Sequence, residues 1–183
     1  MALYAQGSRP VAEGSEPVAV EASETFEDFY VREFPAVVGL AYALSGSRSG
    51  AEDLAQEAFL AAHRGWDRVG GYDDPGVWVR RVVANLSVSA IRRRVVESKA
   101  LARIELGQTP ALPELSAESV EFWRAVRSLP RRQAQAIALR YLEDLPVAEV
   151  ARVLGTAEGT VKKHLHEGRK KVVRLLQLEE DDG

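Results

Sequence analysis

Residues 146–165 constrain this chain more tightly than any other stretch, because they specify two short helices and the angle between them. Val150, Leu154, Val161 and Leu165 are apolar at the spacing of pegs on two facing helices. Ala151 is small where those helices must cross, and Gly155 supplies the positive-φ turn that joins them. Pro146 opens the first helix, and the pattern is that of a helix-turn-helix. Gly159 and Thr160 fall in the first turn of the second helix, whose free amides and positive dipole end suit a phosphate. Lys162, Lys163, His164, His166 and Arg169 project from this helix, the one that would enter a major groove. A helical hairpin with a basic solvent face accounts for the charges, but not for the small residue, the turn glycine and the pegs together. Two positions apart, His164 and His166 diverge by about 200°, so they do not share a metal, and no cofactor is expected.

The rest of the chain reads as helix as well. Thr25 with Asp28 is a helix start, and Phe26, Phe29, Tyr30 and Val31 recur at helical spacing. Pro35 is expected to open a second helix reaching Leu44, followed by a turn at residues 45–48. Ser49 with Glu52 forms a capping box for a helix ending near Trp66. Leu54, Ala58, Ala61 and Ala62 lie on its inner side, and Phe59 and Leu60 are read as core. Asp74 before Pro75 starts another helix, reaching Val96, with Val79, Val82, Val83, Leu86 and Ala90 as its core stripe. Trp78, Arg81, Asn85, Ser89 and Arg92 share the neighbouring face. Helices over 120–129, from Pro130 to about Leu142, and over about 158–176 complete the set, and no alternating strand pattern interrupts them.

Residues 98–116 contain Gly107, Pro110 and Pro113 and lose periodicity. The expected fold is therefore all-α, with two small helical domains joined by a flexible linker. The domains span 25–97 and 117–178, the second carrying the helix-turn-helix. A disordered tail, 1–24, precedes them, and an acidic tail, 179–183, follows.

A length of 183 residues suits that division. The absence of cysteine excludes disulfides and thiolate chemistry. No run of apolar residues is long enough to span a membrane, and the polar start lacks signal-peptide features, so a cytoplasmic protein is expected. No nucleophile–base pair, phosphate loop or metal cluster stands out, which argues against an enzyme. The net charge of −3 conceals a segregation: −8 over 1–76, +6 over 77–103, −3 over 104–120, +6 over 121–178 and −4 over the last five residues. Two basic blocks around an acidic spacer fit two contacts with a polyanion, and equally two solvated helical faces.

The C-terminal block resembles two families. Leu129-Pro130-Arg131-Arg132-Gln133, Leu139-Arg140-Tyr141-Leu142-Glu143 and Glu149-Val150-Ala151 are similar to region 4 of bacterial sigma factors. Gly159-Thr160-Val161-Lys162 is shared with the LuxR-type domain of response regulators. The N-terminal half separates them. Ala51-Glu52-Asp53-Leu54-Ala55-Gln56-Glu57-Ala58-Phe59-Leu60 resembles the region 2 helix of sigma factors, and Trp78 to Asn85 with Arg92-Arg93-Arg94 resembles the segment after it. The order fits the extracytoplasmic-function (ECF) type, which keeps only regions 2 and 4. The alternative is a two-domain LuxR-like regulator that does not recruit polymerase.

The resemblance implies a promoter-recognition subunit of RNA polymerase. Asp53, Gln56 and Glu57, one patch at i, i+3 and i+4, would dock on the β′ clamp helices of the core enzyme, with the β flap as a further contact. Trp78, Arg81, Asn85, Arg92 and Arg93 would meet the −10 element, where strands separate and a base leaves the stack. Trp78 is equally readable as a wedge between helices, and residues 70–74 as the pocket for the flipped base. Thr160, Lys162, Lys163, His164, His166 and Arg169 would meet the −35 duplex. Promoter DNA, core polymerase and an anti-sigma factor are the implied partners, with no membrane. Ser89, Ala157 and Glu167 depart from the residues usual in the family, which bears on promoter preference. Arg outnumbers Lys 19 to 5, a composition that fits a GC-rich bacterium.

Overall fold

A computed structural model describes residues 24–97 and 117–181, with side chains described for 24–87 and 118–177. Among the described residues all regular structure is helical: α1 Phe26–Ser45, α2 Arg48–Arg64, α3 Trp66–Val69, α4 Pro75–Glu97, α5 Ala117–Arg127, α6 Arg131–Tyr141, α7 Val147–Leu154 and α8 Glu158–Asp181. Residues 98–116, expected as a linker, and 1–23 of the expected tail lie outside the described residues. Helix α8 runs on through 179–181, into the acidic stretch read as a tail.

In the N-terminal domain, α1, α2 and α4 pack around Phe29, Val37, Leu40, Phe59, Val79 and Val83, all buried. Phe29, Tyr30, Phe34, Phe59 and Trp66 form one aromatic cluster, its ring centroids 4.7–5.7 Å apart. Contacts of this kind add tilted and edge-on ring attraction to the area they remove from water. Thr25 caps α1 by accepting the Asp28 amide at 3.2 Å, and Asp74 caps α4 by accepting from the Val77 amide at 3.2 Å.

Three local expectations need correction. Pro35 does not open a second helix; α1 runs through it without a break. The ring costs the amide bond to the carbonyl of Val31, but Val31 is 73% exposed and Pro35 also faces solvent, so water can satisfy that oxygen. The cap of α2 is Ser47, not Ser49. Ser47 is extended, buried and accepts the Gly50 amide at 3.2 Å, so Arg48 belongs to the helix rather than to the turn. Leu60 is not core. Phe59 is buried, but Leu60 is 55% exposed, one residue round the helix on the side away from α1 and α4.

The C-terminal domain builds its core from Val126, Ile137, Leu139, Val150, Val153, Leu154, Val161, Leu165 and Val172. All four pegs and Ala151 are buried, and Gly155 ends α7 in the left-handed conformation, φ 62°. The tightest approach lies elsewhere: a Cβ on Gly168 of α8 would sit 2.7 Å from Ile137 Cδ1 of α6. A larger residue there would have to push the end of the Ile137 side chain aside.

Candidate nucleic-acid interface

Asp53, Gln56 and Glu57 are all exposed on α2, and none forms a hydrogen bond or ion pair within the described residues. Leu60, one turn on from Gln56, adds an exposed apolar side chain to the same stripe. The result is an acidic, partly apolar ridge with nothing folded over it.

The basic face of α8 is similarly open at Thr160, Lys162, Lys163 and His166. Lys162 and Lys163 are held only loosely, by Glu158 and Glu167 one turn away, each at 3.9 Å. Pairs so exposed are worth little and yield readily to a phosphate. Lys170, Lys171 and Arg174 extend the face beyond the residues singled out from sequence; their spacing along the same helix was the available signal. Two of the expected contacts are compromised. His164 is half-buried with its Nδ1 enclosed and unpaired among the described residues, so its ring belongs partly to the domain interior. Arg169 reaches back to the Tyr141 hydroxyl at 3.3 Å. Glu167, the acidic departure on this helix, accepts from Gln133 Nε2 at 2.9 Å, which ties α8 to α6.

The α4 face is different. Trp78 is half-buried against the core, as a wedge between helices would be. Gly70 in the loop before it is covered by the Trp66 ring, and Asp74 is occupied in capping α4. Arg81 and Asn85 are exposed in part, but both are engaged by the C-terminal domain. Arg81 Nε donates to the Val153 carbonyl at 2.9 Å, and its Nη2 donates to the Arg152 carbonyl. Asn85 Oδ1 accepts from Arg131 Nη2 at 2.7 Å. Gln135 Nε2 donates to the Ala84 carbonyl between them. Arg92 and Arg93 lie on α4, with side chains outside those described, as does Ser89.

One residue to the other side, Arg80 bridges both domains. Its Nη1 pairs with Glu33 of α1 at 2.8 Å, and its Nε pairs with Glu143, in the turn after α6, at 2.9 Å. The Arg80 and Glu143 side chains are 14% and 5% exposed. Burial pushes the Glu143 carboxyl above its ordinary value, against the pull of Arg80, while the two carboxylates hold Arg80 protonated despite its own burial. Sequence reading missed Glu33, Arg80 and Glu143, because no local pattern marks a pairing across the chain.

The sequence matches the Sigma-70 region 2 family over residues 29–96 and the Sigma-70 region 4 family over residues 119–172. Relatives include the ECF RNA polymerase sigma factor EcfG of Rhodopseudomonas palustris, 30% identical over 86% of this chain and 88% of that protein. The ECF RNA polymerase sigma factor SigW of Bacillus subtilis is 27% identical over 75% of this chain and 81% of its own length. Among solved structures, the sigma factor RpoE of Bartonella quintana, in complex with the anti-sigma factor NepR, superposes with a TM-score of 0.65. That match has 25% identity and covers 83% of this chain and 96% of that one. The protein belongs to the ECF RNA polymerase sigma factors, whose function is to direct transcription initiation. A LuxR-like regulator is not favoured, since residues 29–96 match sigma region 2.

Proposed function

We propose that this chain binds core RNA polymerase through the α2 ridge and positions it on promoters through two separate DNA contacts. Asp53, Gln56 and Glu57 take the β′ clamp helices, and the C-terminal domain takes the β flap. Arg81, Asn85, Arg92 and Arg93, with Trp78 behind them, act on the −10 element. There melting costs a few kcal/mol per base, offset by stacking, amide bonding and phosphate contacts. Thr160, Lys162, Lys163 and His166, with smaller shares from His164 and Arg169, read the −35 duplex. An anti-sigma factor regulates the protein, as in the Bartonella relative's complex with NepR. The chain acts by binding rather than catalysis, in the cytoplasm. No described helix is long and apolar enough to cross a membrane.

The observation that carries this reading is the order of two surfaces: an unobstructed acidic ridge at residues 53–60, then an exposed basic face on the second helix of a helix-turn-helix. Transcription by purified core polymerase from candidate promoters, with and without the protein, tests it. Promoter-specific transcripts are expected only when the protein is present. DNA binding without any gain in initiation would contradict it.

A further inference from the structure

The longest helix of the C-terminal domain carries a stripe that the domain itself leaves largely unused. Along α8, positions 169, 173, 176 and 180 are spaced by four, three and four residues, so they share one face. They hold Arg169, Val173, Leu176 and Glu180. Val173 is 54% exposed although its neighbour Val172 is buried, and Leu176 is only partly covered by the core. Beside the stripe, an open apolar cavity of about 250 Å³ is lined by Phe122, Ile137, Tyr141, Val172 and Val173, together with Arg169. The Tyr141 ring is itself exposed.

Charge along the same helix has a definite polarity. Its middle carries Arg169, Lys170, Lys171 and Arg174, and its end carries Glu179, Glu180 and Asp181. Those three acids stand at the negative end of the helix dipole, with no basic residue in the last turn to offset them. Within one helix that arrangement is unfavourable, and a cation brought in from outside relieves it. A second copy of α8 supplies such a cation if it runs antiparallel. A two-fold axis between residues 174 and 175 sets position 173 level with 176 of the second copy, and 169 level with 180. Apolar then meets apolar twice, and arginine meets glutamate twice. Lys170 also falls level with Glu179, so the basic middle of each helix overlaps the acidic end of the other. A parallel pair would instead set Arg169 on Arg169 and Glu180 on Glu180.

We propose that this stripe is a homodimer interface, in which two copies of the chain pair their α8 helices antiparallel about residues 174 and 175. The same patch is used on both copies, as a two-fold contact requires. Two apolar pairs and two ion pairs make a contact smaller than a standard stable interface. The dimer is therefore weak, with a dissociation constant on the order of tens of micromolar. The pairing does not depend on which DNA element either domain reads, so it stands or falls apart from that assignment.

Sedimentation equilibrium of the full chain, over concentrations spanning that constant, tests the proposal. A monomer–dimer equilibrium is expected, and it should weaken with added salt. Val173→Glu sets a charge at the apolar centre of the pair, on a position already exposed, and should weaken association at least about tenfold while helix content stays constant. Arg169→Glu and Glu180→Arg should each weaken it by a similar factor, because each sets like charges level. The double exchange, Arg169→Glu with Glu180→Arg, restores both ion pairs with their signs reversed. It should return the constant to within about threefold of the original. Recovery in the double variant separates a contact between copies from a fault in folding. A chain that stays monomeric throughout overturns the proposal, as does association that survives Val173→Glu or a double variant as weak as the single ones. Pairing of the α2 ridge with the basic face of another copy would survive Val173→Glu, so it counts against the α8 contact.

Discussion

Helices α2 and α4 belong to one domain, and each carries a candidate binding face, yet the two faces are in opposite states. Asp53, Gln56 and Glu57 have no partner among the described residues, and Leu60 stands in water beside them. Arg80, Arg81, Ala84 and Asn85 are all bonded to the other domain. Under the proposed assignment, the bare surface is the one that meets core polymerase, and the engaged one is the one that acts after strands separate. What decides the state of each face is its neighbours: the C-terminal domain lies against α4 and not against the α2 ridge. Both faces are polar, and neither would collapse alone.

Breaking the Arg80 bridge has the largest expected effect. Arg80→Ala leaves Glu143 without its cation and Glu33 with only the exposed Arg32, and should destabilise the contact between the two domains by roughly 3–5 kcal/mol. Thermal unfolding followed by circular dichroism should then show the C-terminal domain melting separately from the N-terminal one. A single unchanged transition would mean that the bridge contributes nothing.

Next comes the bare ridge. Asp53→Ala with Gln56→Ala should weaken core-polymerase binding by about 2 kcal/mol, some thirtyfold, while helix content stays constant. Both side chains are exposed and unpaired, so nothing inside the domain depends on them. A pull-down with wild-type retention would remove the ridge from the interface.

The two DNA contacts should separate in kind as well as in size. Asn85→Ala should slow opening of the downstream element about tenfold, and pre-melting the promoter should rescue it. Lys163→Ala should alter preference for the upstream duplex, and pre-melting should not help. The opposite pattern of rescue would mean the two contacts are exchanged. Lys162→Ala should lower the salt slope of DNA binding by about one unit. Arg169→Ala should do less, because its guanidinium is already turned toward Tyr141.

The smallest effect is on pH. Glu143 is faced by Arg80 from α4 and Glu33 from α1, with Asp144 and Arg140 beside it on its own turn. Burial, the larger influence, raises its pKa in the folded chain above the ordinary 4.5. The folded chain therefore binds a proton there more readily than the unfolded one. This contribution to stability is complete below 4.5 and is lost as pH rises through the raised folded-state value. The thermal midpoint should carry this small gain on acidification, and Glu143→Gln should abolish it.

Much of the architecture was legible because its causes are local. The Thr25 and Asp74 caps, the left-handed Gly155 and the pegs Val150, Leu154, Val161 and Leu165 each depend on residues within a turn or two. Pro35 misled because proline's local cost is overridden where the orphaned carbonyl meets solvent. Leu60 misled because an apolar residue beside a buried one need not be buried. Both faces of α4 could be read as faces, but the partners of Arg80, Arg81 and Asn85 lie 46–72 residues further on. Pairings at that range follow from how the domains close, and no period or motif encodes them.

The contrast between the two faces is tested most directly by carbodiimide labelling of carboxylates in the free chain, read residue by residue by mass spectrometry. Asp53 and Glu57, exposed on the α2 ridge, should be modified readily. Glu143, 5% exposed and held on Arg80 of α4, should react at least about tenfold more slowly. Glu143 labelled as fast as Asp53 would show that the C-terminal domain does not lie against α4.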